Sequence, residues 1–187
     1  MRKNRKNKRF IYLISPNEIK EEEFYSNLNQ VLSSKKVSFF QLRLKKESLK
    51  RQIYIGKKIK KICKKHNVKF LINDDPLIAK KINADGCHLG QKDMNILKAR
   101  KILKNKIIGV TCHNSINLAK KAIFNGANYL AFGAFYSSKT KKVKYKASLK
   151  ILSLAKKLTN TPVVAIGGIK DSNYKKLLLN KANFLAI

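Results

Sequence analysis

Eight short apolar runs, each followed by a segment with helical spacing, constrain the fold of this chain more than any other feature. The runs span residues 10–14, 37–42, 68–72, 86–89, 106–110, 128–133, 161–166 and 183–187. Apolar runs of this length that end in turn residues are typical of buried parallel strands. Strands that alternate with helices form a parallel sheet, and eight of them predict a TIM (β/α)8 barrel rather than an open sheet.

The barrel is expected to be short. The chain has 187 residues, against about 250 in a typical barrel, and the sequence ends with the eighth predicted strand. We therefore expect a single domain over residues 10–187 that lacks the final helix, with residues 1–9 as a basic N-terminal arm. An outward apolar patch beside Phe184 would then remain uncovered, so we expect a possible homodimer.

The charge of the chain is strongly positive, with 43 Lys and Arg against 10 Asp and Glu and a formal net charge of +33. Binding to nucleic acid is one interpretation. Outside the arm, however, the lysines are scattered along the chain, which favours solvated helix faces and no specific nucleic-acid partner. A basic surface would still attract phosphorylated substrates by long-range steering.

The apolar runs are too short for a membrane span of roughly 18 to 20 residues. The apolar stretch after the basic arm is also too short for a signal peptide. The cysteines are Cys63, Cys87 and Cys112, and they show no CxxC spacing. An odd number without a pairing pattern fits a reducing compartment, so we expect a cytoplasmic protein without a membrane partner.

Two carboxylates follow successive predicted strands. Asp74 comes after the strand over 68–72, and Asp93 comes shortly after the strand over 86–89. Both would lie at the carboxyl-terminal end of the barrel, where the chemistry of α/β folds is found. Carboxylates without a lysine next to Asp74 in the sequence suit a hard cation, so we expect a Mg²⁺ site. Taken singly, Asp74 could be a turn residue and Asp93 a helix N-cap.

Further polar residues follow predicted strands and would share the same rim. They include Gln41, Arg43, Lys45, Asn73, Thr111, Ser138, Lys139, Thr140, Lys141 and Gly168. Taken singly, Arg43 and Lys45 could be ordinary surface charges, and Gly167 and Gly168 could form only a tight turn. His88 lies within a predicted strand and is interpreted as a packed interior side chain rather than a ligand. Near the end of the chain, Asp171 is expected to cap the last helix.

Six motifs in this order resemble thiamine-phosphate synthases over residues 12–187. They are QLRLK, LINDD, ADGCHLGQKD, GVTCH, a loop that ends in SKTK, and VVAIGGI. The ordered set is similar to that family and to its relative, the thiazole tautomerase. The resemblance implies a barrel enzyme that joins a hydroxymethylpyrimidine diphosphate to a thiazole phosphate, with thiamine phosphate and pyrophosphate as products and Mg²⁺ as a requirement.

The resemblance also implies roles for the rim residues. Asp74 and Asp93 would hold Mg²⁺, and Arg43, Lys45 and Lys141 would stabilise the departing pyrophosphate. The other expected substrate-binding residues are Asn73 for the pyrimidine, Ser138, Lys139 and Thr140 for the thiazole phosphate, Gly168 through its backbone N–H, and Gln41 and Thr111.

The sequence departs from the family in a few places. Thr111 stands where the family usually has Ser, and Ser138 where it usually has Thr, so both hydroxyls are kept. Glycine is missing around residues 181–183. The family also continues beyond the eighth strand with residues that help to bind the thiazole phosphate.

Two other functions remain open from the sequence. One is a thiazole tautomerase-like isomerase, which the retained acidic residue Asp93 disfavours. The other is a basic, non-catalytic nucleic-acid-binding barrel, which the N-terminal arm suggests. No basic stripe interleaved with aromatic residues supports the second function.

Overall fold

The chain forms a closed barrel of eight parallel strands in sequential order, which confirms the predicted TIM barrel. A computed structural model describes residues 9–137 and 145–187. The strands are β1 (Ile11–Ile14), β2 (Val37–Leu42), β3 (Lys69–Asn73), β4 (Gly86–Leu89), β5 (Ile107–His113), β6 (Tyr129–Gly133), β7 (Val163–Ile166) and β8 (Phe184–Ala186). Pairing of β8 with β1 closes the barrel, with Ile11 beside Leu185 and Tyr12 beside Ala186.

Helices connect the strands on the outside of the barrel. They are α1 (Glu21–Ser33), α2 (Leu49–Lys65), α3 (Pro76–Lys81), α4 (Ile96–Leu103), α5 (Ile116–Phe124), α6 (Leu149–Leu158) and α7 (Tyr174–Leu179). The expected cap at Asp171 is wrong, because α7 begins after Asn173. Asn173 accepts a hydrogen bond from the N–H of Lys170 and donates one to the carbonyl of Gly168, so it holds the preceding turn instead.

The core has two layers. The larger layer lies between the strands and the helices and contains Phe40, Phe70, Ile108 and Leu185. The smaller layer fills the barrel interior with side chains of the opposite strand faces, including Tyr12, Leu71, Tyr129, Val164 and Phe184. This alternation of faces along each strand separates the two layers.

Phe184 belongs to the interior layer, so the expected apolar patch beside it on the outside is wrong. Its ring packs edge to face against Phe39, with ring centroids 5.0 Å apart. Leu185, the next residue, faces the helices and is only 3% exposed. All residues of this short strand are apolar, so its inward face could not be read from the sequence. The homodimer stays a prediction.

The strands β4, β6 and β8 begin with the same hydrogen-bonding arrangement. The residue directly before each of them donates its backbone N–H to the preceding strand and accepts a backbone N–H of that strand with its side-chain oxygen. The pairs are Asp85 with Phe70, Asn128 with Ile108 and Asn183 with Val163, and each side-chain oxygen lies 2.9 Å from the backbone nitrogen. These paired hydrogen bonds fix the register of neighbouring strands at the amino-terminal end of the barrel.

Arg9, the last residue of the expected arm, donates hydrogen bonds to the carbonyls of His66 and Asn67 at the end of α2. Residues 1–8 lie outside the described part of the chain. Among the described residues, the helices are too short or too polar to cross a bilayer.

Candidate active site

The carboxyl groups of Asp74 and Asp93 meet at the carboxyl-terminal end of the strands, as predicted. Each is close enough to the other for a hydrogen bond. Asp74 adopts a left-handed backbone conformation with φ of 66°, which aspartate tolerates better than most residues. Its N–H donates to the carbonyl of His88 at 2.8 Å, so β4 holds it at the edge of β3. We call this end of the barrel the rim.

The loop after β4 holds Asp93. The N–H of Gly90 donates to Asp93 Oδ2 at 2.6 Å. A Cβ on Gly90 would lie 2.9 Å from the same oxygen, so glycine permits this close approach. Asp93 is not the cap of α4, because the side chain of Asn95 accepts the N–H of Leu97 there. The structure therefore assigns Asp93 to the rim and not to a helix end.

The two carboxyl groups differ in their pKa. Burial opposes ionisation of Asp74, but hydrogen bonds from Lys45 and Asp93 and the charge of Lys45 outweigh it, so the pKa of Asp74 lies below its ordinary value. Burial and the neighbouring carboxylate Asp74 raise the pKa of Asp93. Two adjacent carboxylates resist ionisation together unless a cation joins them. The pair is thus suited to bind a positive ion.

The sequence did not reveal the ion pair between Lys45 and Asp74. Lys45 lies in the loop after β2, and its Nζ is 2.7 Å from Asp74 Oδ2. No lysine is next to Asp74 in the sequence, but the fold brings Lys45 into contact with it. The Lys45 side chain is 49% exposed, so its ammonium group remains accessible from the rim.

Arg43 and Asn73 also lie at the rim, as expected. Arg43 is held by its backbone N–H, which donates to Ser15 Oγ at 2.9 Å, and by its guanidinium group, which donates to Asn17 Oδ1 at 2.7 Å. Asn73 is the last residue of β3. In the described part of the chain, no hydrogen bond involves its side-chain amide, which leaves both polar atoms for a ligand.

Gln41 and Thr111 are both strand residues, and only for Thr111 does this differ from the strands predicted from the sequence. Gln41 lies in β2 and is 3% exposed. Thr111 lies in β5, which extends to His113 instead of ending at Val110 as predicted. Both side chains join a set of buried and partly buried hydrogen bonds inside the barrel.

That set confirms His88 as an interior side chain. His88 Nε2 lies 2.8 Å from Thr111 Oγ1, and His88 Nδ1 lies 2.8 Å from the hydroxyl of Tyr129. Tyr129 contacts the hydroxyl of Tyr12 at 2.7 Å, and Gln41 Nε2 donates to Tyr12 at 3.3 Å. Neither tyrosine was predicted from the sequence to contribute to the site. Their position inside predicted strands was the available signal, because a buried tyrosine needs a partner for its hydroxyl.

Gly168 lies in the turn after β7, with φ of 63°. A Cβ at this position would lie 2.3 Å from the carbonyl oxygen of Ser137. Glycine is therefore required by the close approach of the loop after β6, and the turn lies at the rim as predicted. Ser138, Lys139, Thr140 and Lys141 lie outside the described residues.

The donor set at the rim fits Mg²⁺. Within residues 9–137 and 145–187, no group of three or more His, Cys, Asp or Glu side chains could hold a metal. Asp74 and Asp93 would offer two carboxylates and leave the other coordination positions open. Mg²⁺ is commonly bound by one or two carboxylates together with water and substrate phosphates.

Comparison with known proteins agrees with this geometry. The chain is 75% identical to thiamine-phosphate synthase of Pelagibacter ubique over 187 residues, which covers all of this chain and 90% of the relative. It is 41% identical to the enzyme of the same name from Saccharophagus degradans over 152 residues, or 81% of this chain and 70% of the relative.

A solved structure shows the same fold. Thiamine phosphate pyrophosphorylase from Pyrococcus furiosus superposes with a TM-score of 0.83 at 28% sequence identity, over 97% of this chain and 86% of that one. The sequence profile of the family described as thiamine monophosphate synthase matches residues 11–187. The chain therefore belongs to the thiamine monophosphate synthase family.

Proposed function

We propose that this protein is a Mg²⁺-dependent transferase that joins 4-amino-2-methyl-5-hydroxymethylpyrimidine diphosphate to a thiazole phosphate. The products are thiamine phosphate and pyrophosphate. Family membership supports the reaction. The observation that carries the metal assignment is the meeting of Asp74 and Asp93 at the rim, beside basic side chains suited to phosphate.

The bound metal would act as a Lewis acid on the oxygens of the diphosphate. Asp74 and Asp93 would hold it, because their carboxylates lie together and, among the residues that the structure describes, Lys45 is the cation paired with Asp74. The ammonium group of Lys45 would turn from Asp74 to the phosphate oxygens of the bound diphosphate. Its 49% exposure supports this movement.

Departure of pyrophosphate leaves a cation-like methylene carbon on the pyrimidine. The main task of the protein is therefore to stabilise negative charge on the leaving group. Arg43 presents a planar fork for this purpose, and Asn17 positions it. Asn73 would recognise the edge of the pyrimidine by hydrogen bonds. The thiazole nitrogen is itself the nucleophile, so the chain does not have to supply a general base.

Omission assays test the function. Purified protein is incubated with both substrates and Mg²⁺, and thiamine phosphate and pyrophosphate are measured by chromatography. Both products are expected only when both substrates and the metal are present. Turnover of the thiazole phosphate alone would instead favour the isomerase, and undiminished product formation in a chelator would refute the metal assignment.

The high positive charge is proposed to steer anionic substrates to the rim. Any binding to nucleic acid is expected to be non-specific and to weaken as salt rises. The three cysteines are free and buried, which supports a reducing compartment, and the cytoplasmic location stays a prediction.

A further inference from the structure

Residues 90–95 connect β4 to α4 and carry Asp93 to the rim, and we call them the Asp93 turn. Two hydrogen bonds lie within the turn. The N–H of Gly90 donates to Asp93 Oδ2 at 2.6 Å, and the N–H of Asp93 donates to the carbonyl of Gly90 at 3.3 Å. A third bond caps α4, from the N–H of Leu97 to Asn95 Oδ1. These bonds shape the turn but do not hold it against the neighbouring strand β5.

Gln91 links the Asp93 turn to β5. Its Nε2 donates to the backbone carbonyl of Thr111, one residue beyond Val110, where the pairing of β4 with β5 ends. Because a carbonyl can only accept, the nitrogen of the amide and not its oxygen faces Thr111. Among the described residues, no other side chain of the turn forms a hydrogen bond with β5.

Packing supports the Asp93 turn only in part. A cavity of about 130 Å³ lies between the turn and α5, and its lining includes Gln91, Asp93 and Leu118. At the far end of the turn, Met94 packs against the core. Side chains beside a cavity lack contacts on that side. The hydrogen bond of Gln91 therefore decides where the first part of the turn lies.

Asp74 reaches the rim through a different attachment. Its backbone N–H donates to the carbonyl of His88 in β4 at 2.8 Å. The position of Asp74 thus depends on β3 and β4, whereas that of Asp93 depends on Gln91 and β5. Neighbouring carboxylates repel each other when both are ionised. A turn without its link to β5 would be free to carry Asp93 away from Asp74.

We propose that Gln91 is a positioning residue that holds Asp93 beside Asp74 by binding the carbonyl of Thr111. It contacts neither metal nor substrate in this scheme, which rests on the proposed function. The repulsion between the two carboxylates is then overcome when the protein folds, and not when the metal binds. Without the link, binding would have to draw the turn back, so the affinity for Mg²⁺ would fall.

Calorimetric titration with Mg²⁺ alone tests the proposal. Gln91→Met keeps the approximate length of the side chain but cannot donate. It should raise the Kd for Mg²⁺ by about tenfold, the lower end of the range for residues that orient metal ligands. Gln91→Asn keeps the amide but is one methylene shorter, so it should weaken Mg²⁺ binding in the same way. Inorganic pyrophosphate without metal should bind both variants as tightly as it binds the parent protein.

Further measurements separate positioning from a general structural role. Gln91 is exposed, so the midpoint of urea unfolding should stay unchanged in Gln91→Met. The control Asn95→Ala removes the cap of α4 from the same turn. It should lower that midpoint and retain the Mg²⁺ affinity of the parent protein. In kinetic assays, excess Mg²⁺ should restore the kcat of Gln91→Met, because both carboxylates remain.

The proposal is overturned if either Gln91→Met or Gln91→Asn binds Mg²⁺ as tightly as the parent protein. An equal loss of pyrophosphate affinity would also overturn it, because Gln91 would then contact the anion directly. An equal loss of Mg²⁺ affinity in Asn95→Ala would mean that any disturbance of the turn is sufficient. These outcomes leave the proposed function intact provided that the omission assay yields thiamine phosphate only with Mg²⁺. A parent protein that binds no Mg²⁺ and needs none for product formation refutes both the metal assignment and the role of Gln91.

Discussion

The two ends of the barrel use charged and polar side chains in opposite ways. At the amino-terminal end of the strands, Arg100 donates to the carbonyls of Lys104, Lys106 and Gly126 and to Asn128 Oδ1. At the rim, Lys45 has a single carboxylate partner and Arg43 a single side-chain partner in the described part of the chain. At the amino-terminal end, groups of the protein itself satisfy the hydrogen-bonding capacity of the charged side chain. We call this end the closed end.

This difference suits the closed end to stabilising the fold and the rim to binding ligands. At the closed end, burial lowers the pKa of Arg100 and of Lys106, and the carbonyls and amides around them replace water. At the rim, the carboxylates Asp74 and Asp93 face each other, and within the described residues Lys45 forms the ion pair with Asp74. Charged side chains that are not fully hydrogen-bonded within the protein can still bind an anionic substrate or a metal ion. In a TIM barrel the chemistry is accordingly found at the carboxyl-terminal end.

The largest expected effect follows from removing a carboxylate at the rim. Asp74→Asn and Asp93→Asn should each lower kcat/KM by about 10³-fold or more, because a neutral amide holds Mg²⁺ poorly. Steady-state kinetics in excess Mg²⁺ measures the loss, and circular dichroism checks the fold. The matched control is Asp85→Asn at the closed end, which should retain its activity per folded molecule. Near-normal turnover in either rim variant would remove that residue from the metal site.

A smaller effect is expected from the arginine at the rim. Arg43→Ala should lower kcat by about 10- to 100-fold and raise KM less, because negative charge on the leaving pyrophosphate grows towards the transition state. Arg43→Lys keeps the charge without the fork and should recover part of the rate. Initial rates over a range of pyrimidine diphosphate concentrations separate kcat from KM. If KM alone changed, Arg43 would be a binding residue only.

The closed end should show the opposite pattern. Arg100→Gln removes several charge-assisted hydrogen bonds and should lower the free energy of unfolding by about 2 kcal/mol, given the partial exposure of the group. Its kcat/KM should stay within about twofold of the parent protein. Urea unfolding and kinetics on the same preparation measure both quantities. A large loss of activity without a loss of stability would mean that the two ends are not separate in function.

The sequence predicted the barrel and the placement of the carboxylates, and physical reasons explain what it missed. Apolar runs fix which segments become strands, and parallel strands bring Asp74 and Asp93 to the same end. The contact of Lys45 with Asp74 depends on loop conformation, which carries no periodic signal. The inward face of Phe184 could not be read from a strand in which every side chain is apolar.

The last prediction concerns a strained turn at the closed end. Three turns precede the even-numbered strands β4, β6 and β8, and each has a residue with positive φ, namely Asn83 at 53°, Gly126 at 85° and Lys181 at 75°. Glycine and asparagine tolerate this conformation, whereas a lysine is strained by its Cβ. Lys181 thus keeps a left-handed turn that a glycine would adopt without strain.

Replacing this residue should therefore strengthen the closed end. Lys181→Gly is expected to raise the free energy of unfolding by up to about 1 kcal/mol, because relief of strain exceeds the entropy that glycine adds to the unfolded chain. The control Gly126→Lys introduces the same strain at the equivalent turn before β6 and should lower stability by a similar amount. Urea unfolding of the three proteins measures both changes. If Lys181→Gly destabilised the protein, contacts of the lysine side chain would outweigh the backbone strain. Kinetics should stay unchanged in both variants, since neither turn touches the rim.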